Sequence, residues 1–480
     1  MFSVSDDDPF IVFRKLQDIA RESRGDDVID LSRGDPGYGF SPSIRGREFG
    51  SYVIYLDSAL NKEFSLKNIT NVTNETYQPE TAKRLLNMFR EFIDSTIESA
   101  KAEGKNWDDE SVLKELFGNS AMSGGSYLKP KGQDITRVIV SAWHRKEYGV
   151  DVKSEDLILT NGASHAIGTV FKALGEEGCG FLSKEDTAMI ASPVYSPYNR
   201  ILEEREIKTV TFSMSPLDGS IQIESSDNAK VLILIDPNNP TGFSLEQSNI
   251  EKLATLAKEK DMLVITDEVY SSFFPKKKTM LALAPERTIA INARSKIERS
   301  TGLRFGEIIT LPEGRENISK MLGLKDSNAL EELLIFAKGP GRAGGQFQHT
   351  TFVPGPSQLL GISHMVLGDI EREKYMKDLS ENRAIFCNEL SLKSEGNTYY
   401  IIFDLDSLPD CNTQNISMEE RLTKLAEAGI VYIPAYRFFS EEDRKKSGVL
   451  TSVRASVVNT TPEKLREAAE RTKSVLCNTV

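Results

Sequence analysis

Three features of the 480-residue chain predict an α/β fold with a mainly parallel sheet, joined to a smaller α+β domain. Between about 151 and 311, short apolar runs alternate with helical patterns, the signature of strands joined by crossover helices. Polar and turn residues cluster where those runs end. From about 370 the alternation gives way to isolated strands and helices.

The first strand is "DLILT" (156–160), which ends in "NGAS". The helix after it carries Ala163, Ala166, Ile167, Val170, Phe171 and Leu174 on one stripe. "TAMIA" is the next strand and leads into "SPVYSPY". "KTVTFSM" and "KVLILID" follow, the latter running into "DPNNPTGF" (236–243). Ser244 and Gln247 predict a capping box for a helix reaching about Lys260. "MLVIT" reads as a buried strand ending at Asp267, and "TIAINA" and "FGEIITL" complete the series. In the tail, "GNTYYIIFDL", "VYIPAY" and "TSVRASVV" read as strands and "RLTKLAEAG" as a helix, and Thr461-Pro462 opens a last helix. Residues 41–126 read as mainly helical and polar, notably "TAKRLLNMFREFIDSTIESAKAEGK". The expected organisation is an N-terminal arm and turn (1–40), a helical insertion (41–126), a large α/β domain (127–365) and a small α+β domain (366–480).

Composition narrows the function. Lys and Arg number 59 against 71 Asp and Glu, a net charge of −12. A nucleic-acid binder needs a basic face, so nucleic acid is not expected as a partner. No apolar run approaches the roughly 20 residues of a membrane span, and "MFSVSDDDPF" lacks the basic start and apolar stretch of a leader. Cys179, Cys387, Cys411 and Cys477 lie far apart and suggest neither a metal pattern nor a disulfide framework. The N-x-T patterns at Asn68, Asn71 and Asn74 are read as incidental, and a cytoplasmic setting is expected.

Open α/β sheets bind ligands beyond the carboxyl ends of their strands, where this sequence places its polar residues. "NGAS" offers backbone N–H groups and the Ser164 hydroxyl to a phosphate, although the same residues also serve as an ordinary helix start. "PNNPTG" presents Asn239. "VITDEVY" presents Asp267 and, three residues on, Tyr270. Lys296 follows "TIAINA", with Arg304 eight residues later. Singly these are a turn, a cap or salt bridge and a snorkelling lysine; their order is what carries information.

That order resembles the fold type I pyridoxal-phosphate enzymes, and within them the class I/II aminotransferases. "GDP" (34–36) is similar to the family's G-x-P turn. "YLKPKGQDITR" is similar to its Y-x-x-P-x-G-x-x-x-x-R pattern at Tyr127, Pro130, Gly132 and Arg137. "SPVY" at Tyr195, "NPTG", "DEVY", "SK…GLRFG" and "SVRAS" at Arg454 follow in the family's order. The resemblance implies a PLP-transferase fold and pyridoxal 5'-phosphate (PLP) as an electron sink. It implies that Lys296 forms the Schiff base and afterwards moves a proton, and that Asp267 pairs with the ring nitrogen. Tyr270 and Asn239 would share the phenolate oxygen, and Tyr195 would stack on the ring. Arg304, Ser164 and the Ala163 N–H would hold the phosphate, and Arg454 would clamp the substrate α-carboxylate. Tyr127 would reach the neighbouring subunit's phosphate, which implies a homodimer with shared sites. Ala293 stands where the family often has a phosphate-binding serine; Ser295, directly before the lysine, is the cofactor-binding candidate there.

A narrower resemblance points to the substrate. The stretch from Tyr38 to Tyr127 is long for this family, Arg33 precedes the G-x-P glycine, and "FQHTTFVPGPSQ" carries His349, Thr350, Pro356 and Gln358. These features resemble the aspartate 4-decarboxylases, which are also aspartate aminotransferases. Arg33 would hold a second carboxylate, with Arg454 and Asn239 on the first; its other reading is a loop-bridging salt bridge. The expected activity is amino transfer between an amino acid, aspartate or another acidic one first, and a 2-oxo acid. β-Decarboxylation of aspartate to alanine is the alternative, followed by another PLP lyase or a non-catalytic relative. A tight ion pair on the β-carboxylate favours transfer, and its desolvation favours decarboxylation.

Overall fold

The structure, a computed structural model, describes residues 2–34, 44–60, 62–215, 219–223, 228–336, 353–368, 372–393, 396, 398–409, 416–446 and 448–477. In chain order the strands are β1 (Ile29–Asp30), β2 (Leu157–Thr160), β3 (Thr187–Ser192), β4 (Lys208–Met214), β5 (Ile221–Ile223), β6 (Ala229–Ile235), β7 (Leu263–Asp267), β8 (Thr288–Ala293), β9 (Gly306–Ile309), β10 (Tyr400–Asp404), β11 (Ile430–Val431), β12 (Ile433–Pro434) and β13 (Ser452–Ser456). Every strand expected from the sequence is present, most with ends shifted by a residue or two; "GNTYYIIFDL" shortens to Tyr400–Asp404, and "VYIPAY" is split between β11 and β12. The chain divides into two compact units: Met1–Tyr38 with Lys184–Met262 and Lys374–Val480, and Gly39–Ser183 with Leu263–Glu373. The expected segment 41–126 falls in the second unit. The expected stretch 127–365 is divided between both.

In the first unit β6, β3 and β4 run parallel and β5 returns antiparallel beside β4. The buried Ile and Val of β3 and β6 suit strands covered on both faces. A second sheet, β10-β13-β12, is antiparallel, and β1 pairs with β11. The N-terminal arm contains a helix, Pro9–Arg24, which the sequence reading missed. Its signal was present: Asp8 accepts the Phe10 N–H at 2.8 Å and Pro9 stands in the first turn. Val12, Leu16 and Ala20 form its buried stripe, and it packs on helix Met418–Glu427 and β12.

In the second unit β2, β8 and β7 point one way and β9 runs antiparallel between β2 and β8. Helices Ile44–Ala59, Leu66–Thr76, Pro79–Lys101, Asp109–Phe117 and Asp134–Tyr148 pack into one apolar core with β2, β8 and β9. Pro79–Lys101 shows why: Leu85, Met88, Phe89, Phe92, Ile93 and Ala100 fall on one face and are buried. Phe92 stacks on Phe49 with centroids 4.7 Å apart, and the cluster runs on through Leu157, Leu159, Phe305 and Ile309. Gly50 lets helix Gly355–Leu367 approach; a Cβ there would lie 2.6 Å from Leu360 Cδ2.

Two sequence expectations are corrected. The capping box at Ser244 does not form: helix Gln247–Glu259 has Glu246 at its cap position. Asp236, a buried acid at the end of β6, takes the Leu245 N–H at 2.7 Å and the Ser244 hydroxyl at 3.3 Å instead. The cysteines are not all free. Cys179 and Cys387 are, whereas Cys477 is disulfide-bonded, since spacing along the chain reveals frameworks rather than single pairs. Among the described residues no helix is long and apolar enough to cross a membrane.

Phe92→Ala removes the central ring of the helical core and is expected to destabilise the protein by about 3–5 kcal/mol. The exposed Lys67→Ala should stay within about 0.5 kcal/mol. Urea denaturation of both variants checks the contrast.

Candidate active site

In the second unit β8 and β9 are antiparallel neighbours, with Ala293 opposite Gly306, and residues 294–305 form the loop that joins them. This loop carries both Lys296 and Arg304. It is tied across its base by the Arg294 N–H to the Phe305 carbonyl at 3.0 Å, and within itself by the Ser300 hydroxyl to the Arg294 carbonyl. Lys296 is half-buried, and its Nζ lies 5.6 Å from the centre of the Tyr270 ring. Asp267 ends β7, the parallel neighbour of β8, and is 3% exposed; its Oδ1 accepts the Val269 N–H at 3.3 Å. Ser295 is buried beside Lys296.

The same unit holds an anion cradle. Helix Ala163–Leu174 begins after Gly162, whose φ is +79°. The Arg304 guanidinium lies against this helix start, with Nη2 on the Asn161 carbonyl at 3.4 Å and Nη1 on the Thr301 carbonyl at 3.0 Å. A Cβ on Gly162 would lie 2.6 Å from Arg304 Nη2. Glycine therefore serves twice here, for its positive φ and for the approach of the arginine. Free helix N–H groups, the exposed Ser164 and a guanidinium together make a site for a dianion.

In the first unit Arg454 sits on β13, central in its sheet, and is 2% exposed. Its Nη1 donates to Asn239 Oδ1 at 2.9 Å and its Nη2 to the Ser32 carbonyl at 2.8 Å. Its guanidinium carbon lies 4.3 Å from the Tyr400 ring centre and 5.5 Å from that of Phe438. Asn239 is aimed by the turn its neighbours hold together. Asn238 Oδ1 accepts from the Thr241 N–H and hydroxyl, and Asn238 Nδ2 donates to the Pro193 carbonyl. Gly242, at φ +76°, leaves no room for a Cβ, which would be 2.2 Å from the Tyr400 carbonyl oxygen. Tyr195 is half-buried and meets Phe10 edge to face at 6.0 Å.

Arg33 pairs with Asp30, Nε to Oδ2 at 2.9 Å, which is the bridging arrangement weighed from sequence. It also lines a cavity of about 460 Å³ with Gln17, Asn459 and Lys464. The peptide gripped by Arg454 belongs to the residue just before it. Tyr127 is 90% exposed. Gln358 ties its helix to the Gln133 N–H at 3.0 Å and to the Val353 carbonyl at 2.7 Å. Asp35, Pro36, His349 and Thr350 lie outside the described residues. The sequence reading missed Tyr400, Phe438 and Phe10, because aromatic residues on strands and helices carry no motif. Gly34 gave one hint: a Cβ there would fall 1.9 Å from the Tyr400 hydroxyl.

The chain matches the family model "Aminotransferase class I and II" over residues 100–471. It belongs to that family. It is 26% identical over 226 residues to an aspartate aminotransferase of Pyrococcus horikoshii, covering 45% of this chain and 56% of that one. It is 26% identical over 194 residues to a bifunctional aspartate aminotransferase and L-aspartate beta-decarboxylase of a Pseudomonas species, covering 38% and 36%. The chain thus spans about half the length of the first of the curated relatives it matches. A Thermus thermophilus aspartate aminotransferase double mutant shares the fold, with a TM-score of 0.62, 20% identity and coverage of 99% and 97%. The family is PLP-dependent. The residues present fit that group: a cradle for its phosphate that a single Cβ would fill, a lysine on a tied loop, and a carboxylate at the end of the adjoining strand.

Gly162→Ala tests the cradle. The added methyl displaces Arg304 and strains the turn, removing a charge-assisted hydrogen bond of about 1.5–3 kcal/mol. PLP affinity, read by titrating the apoprotein, should fall roughly tenfold to a hundredfold.

Proposed function

We propose that the chain is a PLP-dependent aminotransferase that moves an amino group between an acidic amino acid, aspartate first, and a 2-oxo acid. The observation that carries this reading is Lys296, standing beside Tyr270 on a loop tied at both ends, with Asp267 at the end of the parallel strand next to its own. Bound PLP supplies an electron sink for bonds at the substrate Cα. In this reading Lys296 Nζ holds the group covalently and then carries a proton at the substrate Cα. Asp267 would keep the ring nitrogen protonated, Tyr270 and Asn239 would donate to the phenolate oxygen, and Tyr195 would cover the ring. Arg304, Ser164 and the Ala163 N–H grip the phosphate, with Ser295 beside them.

Arg454 takes the substrate α-carboxylate. Its partners among the described residues, an amide oxygen, a carbonyl and two aromatic rings, are neutral, so an arriving carboxylate meets a buried cation that still gains from an anion. Arg33, one residue from the peptide that Arg454 holds, receives the second carboxylate by exchanging part of its pairing with Asp30. The exposed Tyr127 supports a homodimer in which each chain reaches the other's phosphate. The four-part organisation expected from sequence belongs to the same proposal, and so does the cytoplasmic setting, which the free thiols favour and the disulfide at Cys477 opposes. β-Decarboxylation of aspartate is the second reading, favoured by the bifunctional relative.

Borohydride reduction of the PLP-loaded protein should fix a phosphopyridoxyl group on Lys296, read by peptide mass spectrometry. A label elsewhere, or none with excess PLP, removes the enzymatic reading.

Arg33→Ala should lower kcat/KM for aspartate about a hundredfold or more while barely changing alanine, and Arg454→Ala should harm both donors alike. Equal losses for the two donors in Arg33→Ala would make that arginine structural. Carbon dioxide and alanine formed from aspartate in the same assays would give decarboxylation first place.

A further inference from the structure

The loop that carries Lys296 rests on a buried charged cluster. Arg294, two residues before the lysine, is 1% exposed and among the largest fully buried side chains. Its Nη2 pairs with Glu307 Oε1, and its guanidinium carbon lies over the Trp143 ring, 3.8 Å from the ring centre. Glu298, two residues after the lysine, faces Arg294 Nη1 at 3.6 Å. Lys296 is thus bracketed by a cation and an anion whose side chains meet each other. Glu307 is fully buried on β9, opposite Leu159 on one side and Asn292 on the other. Its Oε1 also contacts His144 Nε2 at 2.9 Å. Burial holds His144 below the usual imidazole range, so the ring is neutral and its Nε2–H donates to the carboxylate. Burial works to raise the Glu307 carboxyl, but Arg294 and His144 more than offset it and keep it ionised.

Stability alone is a poor account of this cluster. Apolar side chains of similar volume in place of a buried ion pair are commonly neutral or stabilising. Arg294 Nε and Nη1 and Glu307 Oε2 are buried without hydrogen-bond partners, so the cluster is not optimised for its own energy. What an ion pair supplies and a methyl group does not is direction. Glu307 is fixed by strands on both sides, Arg294 is fixed by Glu307 and Trp143, and the backbone on either side of Lys296 follows.

We infer that Arg294, held by Glu307, His144 and Trp143, is a positioning residue that sets where Lys296 Nζ stands. The inference rests on the aminotransferase reading above. It predicts that the cluster can be replaced without unfolding the protein but not without moving the lysine.

The test is the double variant Arg294→Met/Glu307→Leu, compared with the wild type as PLP-loaded full-length protein. Donor KM should stay within about threefold and kcat should fall roughly tenfold to a hundredfold, the cost of misplacing a reacting group by about 1 Å. The visible circular dichroism of the bound cofactor, which needs no turnover and reports how the chromophore is held, should change with it. A folded double variant with wild-type kcat overturns the inference, and so does a lower kcat with unchanged dichroism. If the double variant does not fold, Arg294→Lys takes its place, because it keeps the charge but loses the planar, stacked fork. It should show the same lower kcat at unchanged KM and the same altered dichroism, and wild-type values for either overturn the inference. A wild-type protein that takes no phosphopyridoxyl label on Lys296 defeats the aminotransferase reading and this inference with it. Normal labelling with unaffected variants defeats this inference alone.

Discussion

The first unit is organised around one problem, a guanidinium that is 2% exposed on the central strand of a three-stranded sheet. Removing such a charge from water costs several kcal/mol, and pairing or hydrogen bonding must offset it. Arg454 is given an amide oxygen, a backbone carbonyl and the faces of two rings. Each partner in turn constrains something distant in sequence. Asn239 fixes the loop after β6, Ser32 fixes the chain just after β1, and Tyr400 demands a glycine at position 34. Much of what seems to be loop conformation in this unit is the consequence of seating one cation.

The second unit buries a cation too, on opposite terms. Arg294 meets Glu307 and Glu298, so its charge is balanced inside the protein, whereas among the described residues Arg454 meets dipoles and rings. A balanced buried charge is rigid and gains little from a further anion. An unbalanced one stays avid. The contrast separates an arginine that shapes the protein from one available to a ligand, although both are equally hidden from solvent.

Much of this was legible in the sequence. The apolar runs located all of the described strands but the short β1 and β5, because strands buried on both faces leave a continuous apolar signal and the half-exposed β5 does not. The residues at strand ends stood out because polar groups beside a buried sheet need a reason. What stayed hidden has physical causes as well. The helix Pro9–Arg24 has a modest stripe, announced only by its Asp-Pro start. Asp236 outcompeted the cap that Ser244 and Gln247 suggested, because a buried carboxylate must collect donors, and no local pattern records that demand. Tyr400, Phe438 and Arg294 gain their meaning from what lies across a sheet or beneath a loop. The glycines at 34 and 242 carried the only trace of those crowded contacts.

The helical stretch between residues 44 and 117 carries a consequence of its own. Its apolar side chains share one continuous interior with β2, β9 and the loop ending at Phe305. It is therefore not an attachment that could be cut away without loss to the rest of the unit. Excising it would lay bare the outer face of the strands that lead to the lysine loop. A chain of this fold without these helices must close that face with other residues, because apolar strand surface left open to water is costly.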